Sequence, residues 1–119
     1  MAFPWIAVVD DDLSCLEALM RLLRAYSLEA RPYGSAREFL ADLSKGQPEC
    51  LIADLQMPEM TGLDLLQHLK RSNVHIPTII ITGDAEMRER CETAGAVAFL
   101  PKPLKPDLLV AAIDQARQS

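Results

Sequence analysis

The chain has 119 residues, half of them hydrophobic and 24% charged, with 17 acidic against 12 basic side chains and a net charge of −5. That is one soluble domain's worth of sequence, with enough apolar content to build a core without a covalent staple. It excludes a membrane span, because no apolar run approaches the ~18 residues a spanning helix needs, and a duplex-DNA binder, because no basic face is present.

The first strand is read at Ile6-Ala7-Val8-Val9, short and apolar on both faces as buried parallel strands are. Leu13, Leu16, Met20 and Leu23 then step by three and four residues, the stripe of a first helix. Leu28 to Tyr33 alternates and contains Pro32, which suits an edge strand. Ser35-Ala36-Arg37-Glu38 is a capping box opening a second helix through Phe39 and Leu40. Cys50 to Ala53 is the third strand, and Thr61 caps a third helix marked by Leu65, Leu66 and Leu69. Thr78 to Ile81 is the fourth strand. A fourth helix over Asp84 to Ala94 carries only Met87, Cys91 and Ala94 on its apolar side, which predicts the loosest element of the fold. Gly95 stands where a helix end favours a left-handed residue. Val97 to Leu100 is the fifth strand, and Leu104, Leu108, Ala112 and Ile113 mark a fifth helix running almost to Ser119.

Five strands and five helices in strict alternation predict an α/β fold, a doubly wound parallel sheet. Residues 1–119 read as a single domain without repeats or internal linkers, and no length is left in them for an output domain. No basic segment followed by an apolar core opens the chain, so no signal peptide is expected. Cys15, Cys50 and Cys91 are widely spaced within apolar segments and cannot all pair. They read as buried thiols of a reducing cytosol rather than a zinc site, so a cytoplasmic location is expected.

The polar residues gather at one end of the predicted sheet. Asp10, Asp11 and Asp12 follow the first strand, Asp54 ends the third, Thr82 ends the fourth and Lys102 lies just past the fifth. Open α/β sheets bind ligands at these strand ends, where the strand order reverses. With the order 2-1-3-4-5, Asp10, Asp11 and Asp54 converge. Clustered carboxylates stay ionised cheaply only with a cation among them, and an all-oxygen set suits Mg²⁺. A metal, an ammonium (Lys102), a hydroxyl (Thr82) and a carboxylate (Asp54) make a site for a phosphoryl group, with Asp54 as nucleophile. Blander readings stand beside these. Asp12 is also a helix cap, Thr82 an ordinary β-branched strand end, Phe99 plain core, and His68 and His75 surface residues.

Val8-Val9-Asp10-Asp11, Asp54-Leu55-Gln56-Met57-Pro58 with Gly62, Ile81-Thr82-Gly83 and Lys102-Pro103 resemble the receiver domain of two-component response regulators, over nearly the whole chain. Ser35-Ala36-Arg37-Glu38-Phe39-Leu40 and Ala94-Gly95-Ala96-Val97 look most like the nitrogen-fixation-regulator branch. The resemblance implies the flavodoxin-like receiver fold, phosphorylation of Asp54 by a sensor histidine kinase, and Mg²⁺ or Mn²⁺ held by Asp11 directly, Asp10 mainly through water, Asp54 and the backbone carbonyl of Gln56. It implies that Lys102 contacts the phosphoryl group, that Thr82 and Phe99 form a switch, and that Gln56 and Asp84 tune hydrolysis of the aspartyl phosphate. It further implies a cis Lys102–Pro103 bond, dimerisation through helix 4 and strand 5 on phosphorylation, and a C-terminal DNA-binding output domain outside these residues. No direct nucleic-acid or membrane binding by this domain is expected.

Two departures from the family pattern stand out. The stretch from Thr82 to Gly95 is about two residues short, and Leu104 replaces the common Phe after Lys-Pro. Three other functions compete with the phospho-acceptor. A receiver-like module that only binds partners has no use for the full set Asp10, Asp11, Asp54, Thr82 and Lys102. A phosphatase with its nucleophile after strand 1 finds Asp10 and Asp12 but no length for a cap domain. A flavodoxin-type electron carrier would meet three aspartates where its flavin phosphate should sit.

Overall fold

The computed structural model describes residues 4–118. Five parallel strands form one sheet in the order β2-β1-β3-β4-β5. They are β1 (Ile6–Val9), β2 (Ala30–Tyr33), β3 (Cys50–Asp54), β4 (Thr78–Thr82) and β5 (Ala98–Pro101). The helices are α1 (Leu13–Ala25), α2 (Ala36–Asp42), α3 (Gly62–Arg71), α4 (Arg88–Thr93) and α5 (Pro106–Arg117), with 3₁₀ turns at Leu43–Lys45 and Ala85–Met87.

Strand alternation divides the core in two. Ile6, Val8, Cys50, Ile52, Ile79 and Ile81 pack under Leu16, Leu19 and Leu23 of α1 and Leu109, Ala112, Ile113 and Ala116 of α5. Ala7, Val9, Leu51, Ala53, Ile80 and Phe99 pack under α2, α3 and α4 through Phe39, Leu65, Leu69 and Cys91. Every residue of β1, β3 and β4 is buried, as strands covered on both faces require. The outer strands differ. Arg31 and Pro32 of β2 and Pro101 of β5 are exposed.

Several expectations shift by one position or one turn. The stripe of α1 is Leu16, Leu19 and Leu23, while Leu13 is 66% exposed, because the first helical turn projects beyond the sheet. On α5 the inward residue is Leu109, and Leu108 faces out. Strand β2 begins at Ala30, and β5 begins at Ala98 with Val97 leading in through a bond to the Thr78 carbonyl. The full capping box forms at Thr61 and Asp64. At Ser35 only the first half forms, since the Glu38 carboxylate meets the Ser35 hydroxyl instead of its backbone amide. The fourth helix is broken. Asp84 caps a 3₁₀ turn, and α4 proper has six residues with only Cys91 fully buried. Cys50 and Cys91 are buried, whereas Cys15 is partly exposed. His75 is exposed and His68 half-buried. No described helix is long and apolar enough to cross a membrane.

Candidate functional site

The crevice is assembled by strand register. Val9 pairs with Ala53, so the next residues, Asp10 and Asp54, stand side by side at the ends of β1 and β3. Asp54 is level with Ile81, and Thr82 with Pro101. The Lys102 amide then donates to the Thr82 carbonyl at 2.9 Å, fixing the chain just past β5. The Lys102–Pro103 bond is cis, as expected.

Asp10 is 1% exposed. Its Oδ1 accepts from the Asp12 amide at 2.9 Å, and its Oδ2 is buried without a hydrogen-bond partner. Burial raises its carboxyl from 3.8 to about 6, with the Asp54 charge adding to the rise and the Asp12 amide and Lys102 opposing it. Asp54, 5% exposed, accepts from the Gln56 amide at 3.2 Å and from Lys102 Nζ at 3.1 Å. The same ammonium lies 3.9 Å from Asp10 Oδ2. Burial alone would lower the Lys102 pKa, but the hydrogen bond and charge of Asp54, with Asp10 behind them, raise it. It stays a cation.

Asp11 is exposed at the mouth, and one carboxylate oxygen from each of Asp10, Asp11 and Asp54 lies within 4.8 Å of the others. The convergence of three carboxylate oxygens, one of them a buried oxygen of Asp10 that accepts no hydrogen bond, fits an oxygen-seeking divalent cation. Asp12 does not join the cluster. Its side chain turns away and caps α1 through the Ser14 and Cys15 amides.

Gly62 is the part of the site whose reason lies only in the fold. A Cβ there would fall 2.6 Å from the Asp54 carbonyl oxygen and 3.1 Å from Leu55 Cα. Its own amide donates to the Leu55 carbonyl. The start of α3 thus lies directly against the backbone that carries Asp54. Thr82 is 1% exposed, and its Oγ1 accepts from the Asp84 amide at 3.0 Å. The Asp84 carboxylate accepts from the Glu86 amide. Phe99 is buried with the Arg88 guanidinium over its ring, a partner that no sequence pattern announced. Gln56 is exposed beside the mouth.

A groove of about 640 Å³ between α3 and α4 is lined by Lys70, Arg71, Glu89 and Arg90 and does not reach the strand-end carboxylates. A smaller, more apolar groove of about 300 Å³ between α1 and the chain after β5 reaches Asp10 and Lys102. Converging polar chemistry rather than size marks the strand-end crevice as the candidate site.

The pattern of the response regulator receiver domain family matches residues 6–114. Nodulation protein W of Bradyrhizobium diazoefficiens is 40% identical over 119 residues, covering 95% of this chain and 52% of that protein. Response regulator protein TodT of Pseudomonas putida is 42% identical over 113 residues, covering 93% and 50%. The DNA-binding transcriptional regulator NtrC of Klebsiella pneumoniae is 35% identical over 111 residues, covering 92% and 24%. The crystal structure of FixJ-N superposes with a TM-score of 0.91 at 32% identity, covering 99% of this chain and 96% of that one. The chain spans about half the length of the first of these curated relatives.

Proposed function

The chain belongs to the response regulator receiver domain family of two-component signalling, and on that premise we propose that it accepts a phosphoryl group on Asp54 from the phosphohistidine of a sensor histidine kinase. A carboxylate oxygen of Asp54 forms the new P–O bond as the donor's P–N bond breaks. The electron pair of that bond stays on the imidazole nitrogen, which takes a proton from solvent. The observation that carries this reading is the setting of Asp54. It is buried at a strand end, held by the Gln56 amide and Lys102 Nζ, and lies beside an Asp10 oxygen that accepts no hydrogen bond.

Lys102 orients the nucleophile and neutralises charge on the incoming oxygens. Asp10, Asp11, Asp54 and the carbonyl of Gln56 would hold Mg²⁺ or Mn²⁺, which when bound neutralises charge on the phosphoryl group. Thr82 leaves the Asp84 amide to bond a phosphoryl oxygen, Phe99 shifts with it, and the surface of α4, β5 and α5 is repopulated. Gln56 and Asp84, at the mouth and in the turn after β4, set the rate of hydrolysis. Residues 1–119 act as one receiver unit of a longer regulator. Its dimerisation runs through α4 and β5, and its output is a DNA-binding domain of the kind NtrC is named for.

The test is intact mass after incubation with acetyl phosphate and Mg²⁺. One phosphoryl group is gained by the parent and by neither an Asp54→Asn variant nor a metal-free control. Absence of any gain, with a cognate kinase also failing to label the chain, would convert the reading to a receiver-like module that works by binding alone. Labelling that persists in the variant would move the acceptor to another carboxylate.

A further inference from the structure

Arg88 is the first residue of α4 and an exposed one, and its side chain reaches over Phe99 of β5. Its guanidinium carbon lies 4.9 Å from the centroid of the Phe99 ring, within the ~6 Å at which a cation is attracted to an aromatic face. Among the described residues no carboxylate forms an ion pair with Arg88. The ring is the partner the fold gives its charge.

Little else ties α4 to the sheet. Cys91 is its one buried residue, and Met87 and Ala94 only lean on the same core. The turn before it is continuous with the crevice. Thr82 Oγ1 accepts from the Asp84 amide, Asp84 accepts from the Glu86 amide, and the Met87 amide donates back to the Asp84 carbonyl. A connected path therefore runs from Thr82 at the sheet edge, through the 3₁₀ turn, to Arg88 and down onto Phe99.

We propose that Arg88 is a positioning residue of the switch, a latch whose guanidinium on the Phe99 ring holds α4 in the state where the Asp84 amide occupies the Thr82 hydroxyl. The inference rests on the reading of Asp54 as acceptor and of Thr82 and Phe99 as the moving pair. When Thr82 turns toward a phosphoryl group it gives up the Asp84 amide, the 3₁₀ turn loses that tether to the sheet edge, and α4 is then held mainly by the Arg88 contact and Cys91. The latch thus sets how much of the switched state exists before phosphorylation and how readily phosphorylation is retained.

The experiment compares Arg88→Ala, Arg88→Lys and Arg88→Met, each with Phe99 intact and with Phe99→Leu. Peptide-level hydrogen exchange over residues 88–95 is read without phosphoryl donor, and intact mass is read across a titration of acetyl phosphate with Mg²⁺. In Arg88→Ala and Arg88→Met the segment exchanges roughly two- to fivefold faster, and half-maximal phosphorylation needs roughly two- to fivefold less acetyl phosphate, the scale of an exposed cation–π contact. Arg88→Lys restores both readouts because a cation again covers the ring. In the Phe99→Leu background the Arg88 variants no longer differ. Rescue by Met as complete as by Lys would show that the aliphatic stem acts by packing, and would overturn the latch. So would an unchanged exchange rate in Arg88→Ala, or an effect that persists in full without the ring. A parent that never gains a phosphoryl group defeats the Asp54 reading, while the exchange cycle still decides for or against the latch.

Discussion

Lys102 Nζ stands 3.1 Å from Asp54 Oδ2, a contact between residues 48 apart in the chain. The same ammonium is 3.9 Å from Asp10 Oδ2, so one cation is shared by two buried carboxylates. With Asp11 at the mouth the crevice holds three carboxylates and one ammonium. When all are ionised, three negative charges less one positive leave a surplus of two. A divalent ion cancels that surplus, and without one the protein carries the repulsion in its folded state.

Asp10 titrates near 3.8 unfolded and about 6 folded. Between those values the folded state binds the proton more tightly, so stability falls as pH rises through the window, opposite to the usual behaviour of an aspartate. The loss attributable to Asp10 reaches at most about 3 kcal/mol above the window. Urea unfolding with chelator present, from pH 4 to pH 7, shows this slope in the parent. Asp10→Asn flattens it, as does saturating Mg²⁺. Superimposable profiles for parent and variant would contradict the assignment.

Asp11 and Asp12 are adjacent in the chain and opposite in role. Asp12→Ala removes the cap bonds to Ser14 and Cys15 and costs about 1 kcal/mol of stability, while Mg²⁺ binding by calorimetry is unchanged. Asp11→Ala leaves stability nearly unchanged and weakens Mg²⁺ binding. Reversal of the two outcomes would place the wrong aspartate in the cluster.

Gly62→Ala tests the close approach of α3 to β3. The clash is with backbone on both sides, at 2.6 Å from the Asp54 carbonyl, so no side chain can rotate away. A loss of about 3 kcal/mol is expected from overpacking, together with slower phosphoryl uptake as Asp54 is displaced. Urea unfolding and intact mass read the two effects, and a variant as stable as the parent would show that α3 can shift freely.

Trp5 lies just before β1, buried at the opposite end of the strand from Asp10, with the Arg31 guanidinium 4.1 Å from its ring centroid. Five residues of extended chain put it about 16 Å from the crevice. Its fluorescence should therefore not respond to Mg²⁺ at concentrations that raise the thermal midpoint. A quench that tracks the midpoint would mean that the two ends of the sheet are coupled.

The strands and the crevice were legible because each rests on a short-range rule. Unbroken apolar runs mark buried parallel strands, and parallel topology forces every strand-end residue to one edge. That is enough to bring Asp10, Asp11, Asp54, Thr82 and Lys102 together before any coordinate exists. What was not legible depends on rotation about an axis. Leu108 and Leu109 are equally apolar, and only the docking angle of α5 decides which is buried. Leu13 fits the stripe of α1 but projects past the sheet it would have covered. The shortened region after Thr82 gave a correct warning without its form, a 3₁₀ turn followed by a six-residue helix. The Arg88 contact with Phe99 pairs residues whose spacing follows no repeat, so no periodicity could reveal it.

Each border strand of the sheet carries a proline, Pro32 in β2 and Pro101 in β5. Such borders are poor templates for strand addition. Pairing of two sheets edge to edge through a backbone ladder is thereby disfavoured at both borders, which leaves the side chains of the helices as the ground on which a partner would be recognised.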